Sequence, residues 1–168
     1  VRLMFQRMVG SWFSESRADY NDFIRALLLG DIDAMNTYMN RVTLATFSYF
    51  DTGKGGAGEA EPERFYHGFV LGLMVELRDR YALTSNRESG FGRYDVMLEP
   101  LSRKDDAIII EFKVFNPRKE KDPEETLRNA RKQIEDRKYE TALLAKGIPA
   151  DRIRKYGFVF EGKTVLIG

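Results

Sequence analysis

The chain has no cysteine, so a disulfide framework, a zinc–thiolate site and a thiol nucleophile are all excluded, and the redox chemistry fits a cytoplasmic protein. It has one histidine, His67, which rules out a histidine-rich metal site and any catalytic triad built on another histidine. No apolar run approaches the roughly 18–20 residues that span a bilayer, and no signal peptide is visible, so no membrane partner is expected. Neither sign of charge dominates, with 27 Lys and Arg against 26 Asp and Glu and a net of +1. Any metal chemistry must therefore rest mainly on carboxylates, which suit Mg²⁺, Mn²⁺ or Ca²⁺ rather than zinc.

What is present is enough for one ordinary domain with some extra helix: 168 residues, 43% of them hydrophobic and 12% aromatic. The chain begins at Val1 rather than at a methionine, which points to a fragment of a longer protein. Charge is unevenly spread. Residues 1–100 carry 11 basic and 14 acidic groups, and residues 101–168 carry 16 and 12. A modestly basic C-terminal part can meet a polyanion, although many domains with neutral partners look the same.

Residues 1–50 read as helical. Tyr20, Phe23, Ile24, Leu27 and Leu28 recur at helical spacing from Asp19 to Leu29, Gly30 stops that helix, and Asp31 can cap a second one running to about Leu44 or Phe47. Asp51–Pro62 holds four glycines and no large apolar side chain, so residues 51–62 read as a flexible linker. Its GKGGAG is not a phosphate loop, because Lys54 precedes the glycines and no buried strand leads into it. A helix is expected over Glu63–Tyr81, then strands over Tyr81–Asn86, Tyr94–Glu99 and Ala107–Phe115, with Pro100–Asp106 as a polar turn of an antiparallel hairpin. A charged helix over about Pro123–Lys146 and a last strand or hairpin over Phe158–Phe160 and Thr164–Ile167 complete the order.

Alternation puts Glu111 and Lys113 on one face of the isoleucine-rich strand and Ile110, Phe112 and Val114 on the other. Burying a carboxylate and an ammonium is costly unless they are paired, hydrogen-bonded or on a metal. The pattern [DE]-x-K occurs three times, at Glu111/Lys113, Asp136/Lys138 and Glu161/Lys163. Only the first ends a buried strand and has an acid, Asp95, on the strand before it. Two carboxylates about 5 Å apart repel by roughly 3 kcal/mol at an effective dielectric near 20, and a divalent cation between them reverses the sign. Residue chemistry alone leaves a structural ion-pair cluster equally open.

The blocks FYHGFVLGL, SNRESGFGRYD and AIIIEFKV resemble the PD-(D/E)XK nuclease superfamily, and more narrowly bacterial proteins that attach such a domain to an AAA-type ATPase-like region. The resemblance covers about Glu63–Gly168. It implies an α/β, restriction-endonuclease-like core of order α-β-β-β-α-β, a mixed central sheet flanked by helices and preceded by a short helical segment. Residues 1–50 then correspond to the tail of an ATPase-like region absent from this chain, and residues 63–168 to the nuclease-like domain. The activity implied is Mg²⁺- or Mn²⁺-dependent hydrolysis of phosphodiester bonds, in DNA by preference, with Asp95 and Glu111 as metal ligands and Lys113 as the catalytic lysine. The backbone carbonyl of Phe112 is a further candidate ligand, as are His67 and Glu63, which share a helix face, and Glu88. Candidate nucleic-acid contacts are Arg93, Arg118, Lys119, Arg131 and Gln133. Gln133 is followed at the motif spacing by Arg137 where some branches carry tyrosine. The alternative left open is an inactive module of the same fold that binds nucleic acid or a partner protein, and a homo-oligomer is also left open.

Overall fold

The computed structural model describes residues 17–50, 72, 74–87, 94–136 and 139–168. The expected linker at 51–62 and most of the expected helix at Glu63–Tyr81 lie outside them. The chain divides into two compact units, one drawn from Val1–Glu76 with Gly162–Val165, the other from Leu77–Glu161 with Leu166–Gly168.

In the first unit, helix α1 spans Arg17–Leu29 and α2 spans Ile32–Phe50. Phe23, Ala26 and Leu27 on α1, and Met35, Met39 and Val42 on α2, are buried. These are the apolar stripes that helical periodicity marks as core. Gly30 adopts a left-handed φ of 75°, ending α1. Asp31 then starts α2 by accepting the Ala34 N–H at 3.0 Å. On α2 the Asn40 amide forms a two-point pair with one residue far along the chain. It donates to the Val165 carbonyl at 2.7 Å and accepts the Val165 N–H at 2.8 Å. The Thr43 hydroxyl, also buried, donates to the Lys163 carbonyl at 2.9 Å.

The second unit is built on a sheet, of whose last strand the first two residues, Thr164 and Val165, group with the first unit. Strands β1 (Tyr81–Arg87), β2 (Tyr94–Pro100), β3 (Ala107–Val114), β4 (Ile153–Glu161) and β5 (Thr164–Ile167) lie in the order β1-β2-β3-β4-β5. The first three form an antiparallel meander, whereas β3 and β4 are parallel. Parallel neighbours need a crossover, and helices α3 (Pro123–Asp136) and α4 (Tyr139–Ala145) occupy it. β3 is central and its first six residues are buried, the environment that its isoleucine run requires. One face carries Val96, Leu98, Ile108, Ile110 and Phe112, with the Phe112 ring 5.3 Å from Phe158 and 6.4 Å from Phe160. The other face carries Ala107, Ile109 and Ile153, which cluster with Ile134 of α3, Leu143 of α4 and the partly buried Met97 and Ile148.

Three expectations are corrected. The end of the helix expected through Tyr81 is a 3₁₀ turn at Val75–Asp79, and the strand expected from Tyr81 begins there, paired with Pro100. The single helix expected over Pro123–Lys146 is two. Ile134 and Leu143 both enter one cluster, yet nine residues at about 100° each would set them on opposite sides of a continuous helix. The last strand begins at Ile153, not Phe158. Its leading cations are tolerated there because they are paired, Lys155 Nζ with Glu140 at 2.7 Å and Arg154 Nη2 with Asp106 at 2.9 Å.

Asp106 also accepts from Arg152 Nε at 3.0 Å, so it joins the start of β3 to the start of β4. Burial pushes its carboxyl up, but the two guanidinium groups outweigh burial and hold it below the ordinary carboxylate range. A lowered carboxyl contributes stability at neutral pH that is lost as pH falls through its folded-state value. Asp106→Asn is therefore expected to cost about 1–2 kcal/mol near pH 7, discounted for partial exposure. In urea unfolding followed across pH, the gap between variant and wild type should close in acid; a gap independent of pH would rule out this ion-pair origin.

Candidate active site

The β2–β3 register sets Asp95 directly across from Glu111, and the neighbouring pairings extend that row to Asn86 on β1 and Gly157 on β4. Directly opposed positions on antiparallel strands hold their Cβ atoms about 4.5–5.5 Å apart. Asp95 is described through its backbone. Glu111 is fully described and is 0% exposed. Neither of its carboxylate oxygens has a hydrogen-bond partner among the described residues. Buried polar groups are nearly always partnered, and an unpartnered buried carboxylate costs several kcal/mol. The strand that delivers Glu111 is hydrophobic enough to be driven inside, so it carries the acid with it.

Gly157 is what lets a helix close over this position. A Cβ there would lie 2.6 Å from Leu127 Cδ1 and 3.2 Å from Ala130 Cβ, both on α3. With no side chain beside Glu111 on β4, α3 descends onto the sheet and shuts that flank of the carboxylate off from water. The same helix brings a second orphan. Gln133 Nε2 is buried without a hydrogen-bond partner among the described residues. On α3, Leu127 faces Gly157 and Gly168, and Gln133 lies about 120° round the helix from it. Glu111 and Gln133 thus each hold buried polar atoms without a hydrogen-bond partner among the described residues.

Lys113, two residues beyond Glu111 on the same face, is half-buried opposite Val159. Phe112 lies between them, its backbone in register with Tyr94 and Phe158 and its ring turned to the other face. Arg118 and Lys119 are exposed on the turn after β3, and Arg131 is exposed on α3. Glu63, His67, Glu88 and Arg93 lie outside the described residues. Gly157 was not singled out by sequence reasoning, although a lone glycine inside the apolar run of YGFVF signals close approach of another element.

A mixed sheet flanked by helices, with an acid opposite an acid and E-x-K at the end of the central strand, is the architecture of restriction-endonuclease-like proteins. A family model of the PD-(D/E)XK nuclease superfamily matches residues 61–168, and the chain belongs to that superfamily. A search of curated proteins finds no match.

Nucleases of this superfamily generally use a divalent metal ion. The residues in hand fit one. Hard anionic oxygens are what Mg²⁺ and Mn²⁺ select, and Glu111 holds two that no described residue hydrogen-bonds. Among the described side chains no group of three His, Cys, Asp or Glu gathers to hold an ion, so the fit rests on Glu111 and on the Asp95 position opposite. No described helix is long and apolar enough to cross a membrane.

Proposed function

We propose that the chain is a metal-dependent nuclease that hydrolyses phosphodiester bonds, with DNA as substrate and Asp95, Glu111 and Lys113 as its working residues. The observation that carries this reading is the buried Glu111 carboxylate, without a hydrogen-bond partner among the described residues and in register with Asp95. Asp95 and Glu111 would hold Mg²⁺ or Mn²⁺, with the Phe112 carbonyl a further candidate. The ion, when bound, polarises the phosphoryl group and acidifies the attacking water.

The protein's own groups do the rest. Glu111 Oε1 and Oε2, fixed on the central strand, need no rearrangement to present negative charge, which is electrostatic preorganisation. Lys113 Nζ, carried on the same face two residues on, donates hydrogen bonds to a non-bridging phosphoryl oxygen and neutralises charge as it develops there. α3 excludes water from the rear of Glu111, which strengthens its charge interactions.

The experiment compares wild type, Asp95→Ala and Lys113→Ala on linear and branched DNA with Mn²⁺ and with chelator. Cleavage by wild type with Mn²⁺ is expected, with none in chelator and a loss of about a hundredfold in Lys113→Ala. Equal cleavage by all three would remove the assignment, and metal-independent DNA binding without cleavage would favour the inactive module.

A further inference from the structure

By sequence, the segment Asn116–Glu125 carries three cations, Arg118, Lys119 and Lys121, against four acids, Glu120, Asp122, Glu124 and Glu125. By sequence it reads equally as a set of phosphate contacts and as a solvated face whose cations the acids interrupt. The structure separates the two signs. Three of the four acids are turned onto the chain itself. Glu120 Oε2 accepts the Thr126 hydroxyl at 2.7 Å and the Asn116 N–H at 3.3 Å, and Glu120 Oε1 lies 3.5 Å from Asn129 Nδ2. Asp122 Oδ1 accepts the Glu125 N–H at 2.7 Å, and Glu125 Oε2 accepts the Lys121 N–H at 2.7 Å. The three cations stay exposed, and no described acid pairs with any of them.

The turn is also fully tied down. Phe115 N–H bonds to Phe160 O, Asn116 N–H to Glu120, Arg118 N–H to Asn116 Oδ1, Lys119 and Glu120 N–H to Asn116 O, and Lys121 N–H to Glu125. Pro117 has no N–H to place and fixes its own φ. Every backbone donor from 115 to 121 is engaged, which is unusual for an exposed turn. The anchor is Thr126, itself 0% exposed. Cations on a fixed backbone lose less freedom on binding than cations on a loose one. The turn starts about 10 Å along the chain from Lys113, near the length of three base steps of one strand.

We propose that the Asn116–Lys121 turn is a prebuilt clamp for the phosphate backbone of the nucleic acid, and that the acid Glu120 is its positioning residue. The inference deepens the nuclease reading and rests on it. It makes a prediction opposite in sign to simple electrostatics. Taking a negative charge out of a basic loop ought to tighten polyanion binding. Glu120→Ala removes the anchor with the charge and is expected to weaken binding roughly three- to tenfold, lowering the salt slope by about one. Glu120→Gln keeps an acceptor oxygen and is expected to bind as tightly as wild type or more tightly. Thr126→Val, which leaves every charge in place, is expected to behave like Glu120→Ala.

The test is fluorescence anisotropy of a short labelled DNA duplex with the full chain in EDTA, across a salt series and below each variant's melting temperature. Parallel tightening in Glu120→Ala and Glu120→Gln, or wild-type binding in Thr126→Val, would overturn the clamp. Loss of affinity in Thr126→Val with an unchanged salt slope would also overturn it, since a merely structural defect leaves the phosphate count alone. If wild type does not bind DNA, both the clamp and the nuclease reading fall; if it cleaves DNA but Lys119→Ala binds equally well, the clamp alone falls.

Discussion

In chelator, Glu111→Gln is expected to unfold at a higher temperature than wild type. If Glu111 serves a metal ion as proposed, its carboxylate is kept at a cost to folding, and that cost falls on one residue. Glu111 is 0% exposed and both carboxylate oxygens lack partners among the described residues. Exchanging an unpartnered buried charge for a neutral amide of the same shape should return about 1–3 kcal/mol, after allowing for an amide that is itself imperfectly bonded. For a chain of this size that raises Tm by roughly 3–8 °C. The order should invert with Mn²⁺. A ligand present at a hundred times its Kd stabilises the folded state by about 2.7 kcal/mol, and only wild type is able to gain it. Cleavage should fall by about 10³ in the same variant. Thermal unfolding with and without Mn²⁺ separates the alternatives: a variant less stable than wild type in chelator would mean that Glu111 has an internal partner, and the metal proposal would lose its support.

The second large effect is expected at Gly157. Gly157→Ala introduces a methyl group 2.6 Å from Leu127 Cδ1 and 3.2 Å from Ala130 Cβ. Leucine can swing away, but Ala130 Cβ is fixed to the helix backbone, so α3 itself must rise from the sheet. Overpacking of this kind costs about 1–3 kcal/mol, and a lifted helix would also open the rear of Glu111 to water. Gly157→Ala should therefore lose both stability and cleavage. Leu127→Ala in the same chain should recover part of the stability, with a coupling of about 1 kcal/mol or more. Urea midpoints at constant m measure it. Strict additivity of the two substitutions would place the strain at Ala130 rather than at Leu127.

Much of this arrangement was legible in the residues. Ile108–Ile110 identified a strand buried on both faces, and PLSRKDD identified the turn that pairs it with the strand carrying Asp95. Context, not the E-x-K spelling, selected Glu111 and Lys113. The less legible parts share a cause, which is that long-range partners change the meaning of local composition. The strand was expected only from Phe158, because the acids that pair Arg154 and Lys155, Asp106 and Glu140, lie 48 and 15 residues away in sequence. The break between α3 and α4 was hidden because the charged residues around Asp136 suit a helix as well as its end. Glu120 read as a charge that dilutes a basic patch, since nothing in KEKDPEE says which way a carboxylate turns. Gly157 meant little until a helix was seen above it.

The Asn40 amide takes up both backbone groups of Val165, the donor and the acceptor, on the last strand of the sheet. A side chain thereby does what a neighbouring strand would otherwise do, and so leaves less of that border open to aggregation. The region matched by the family begins at residue 61 and does not include Asn40. Trimming the protein to that region would strip the border bare, inviting strand addition from a second molecule and turning a solubility problem into an apparent oligomer.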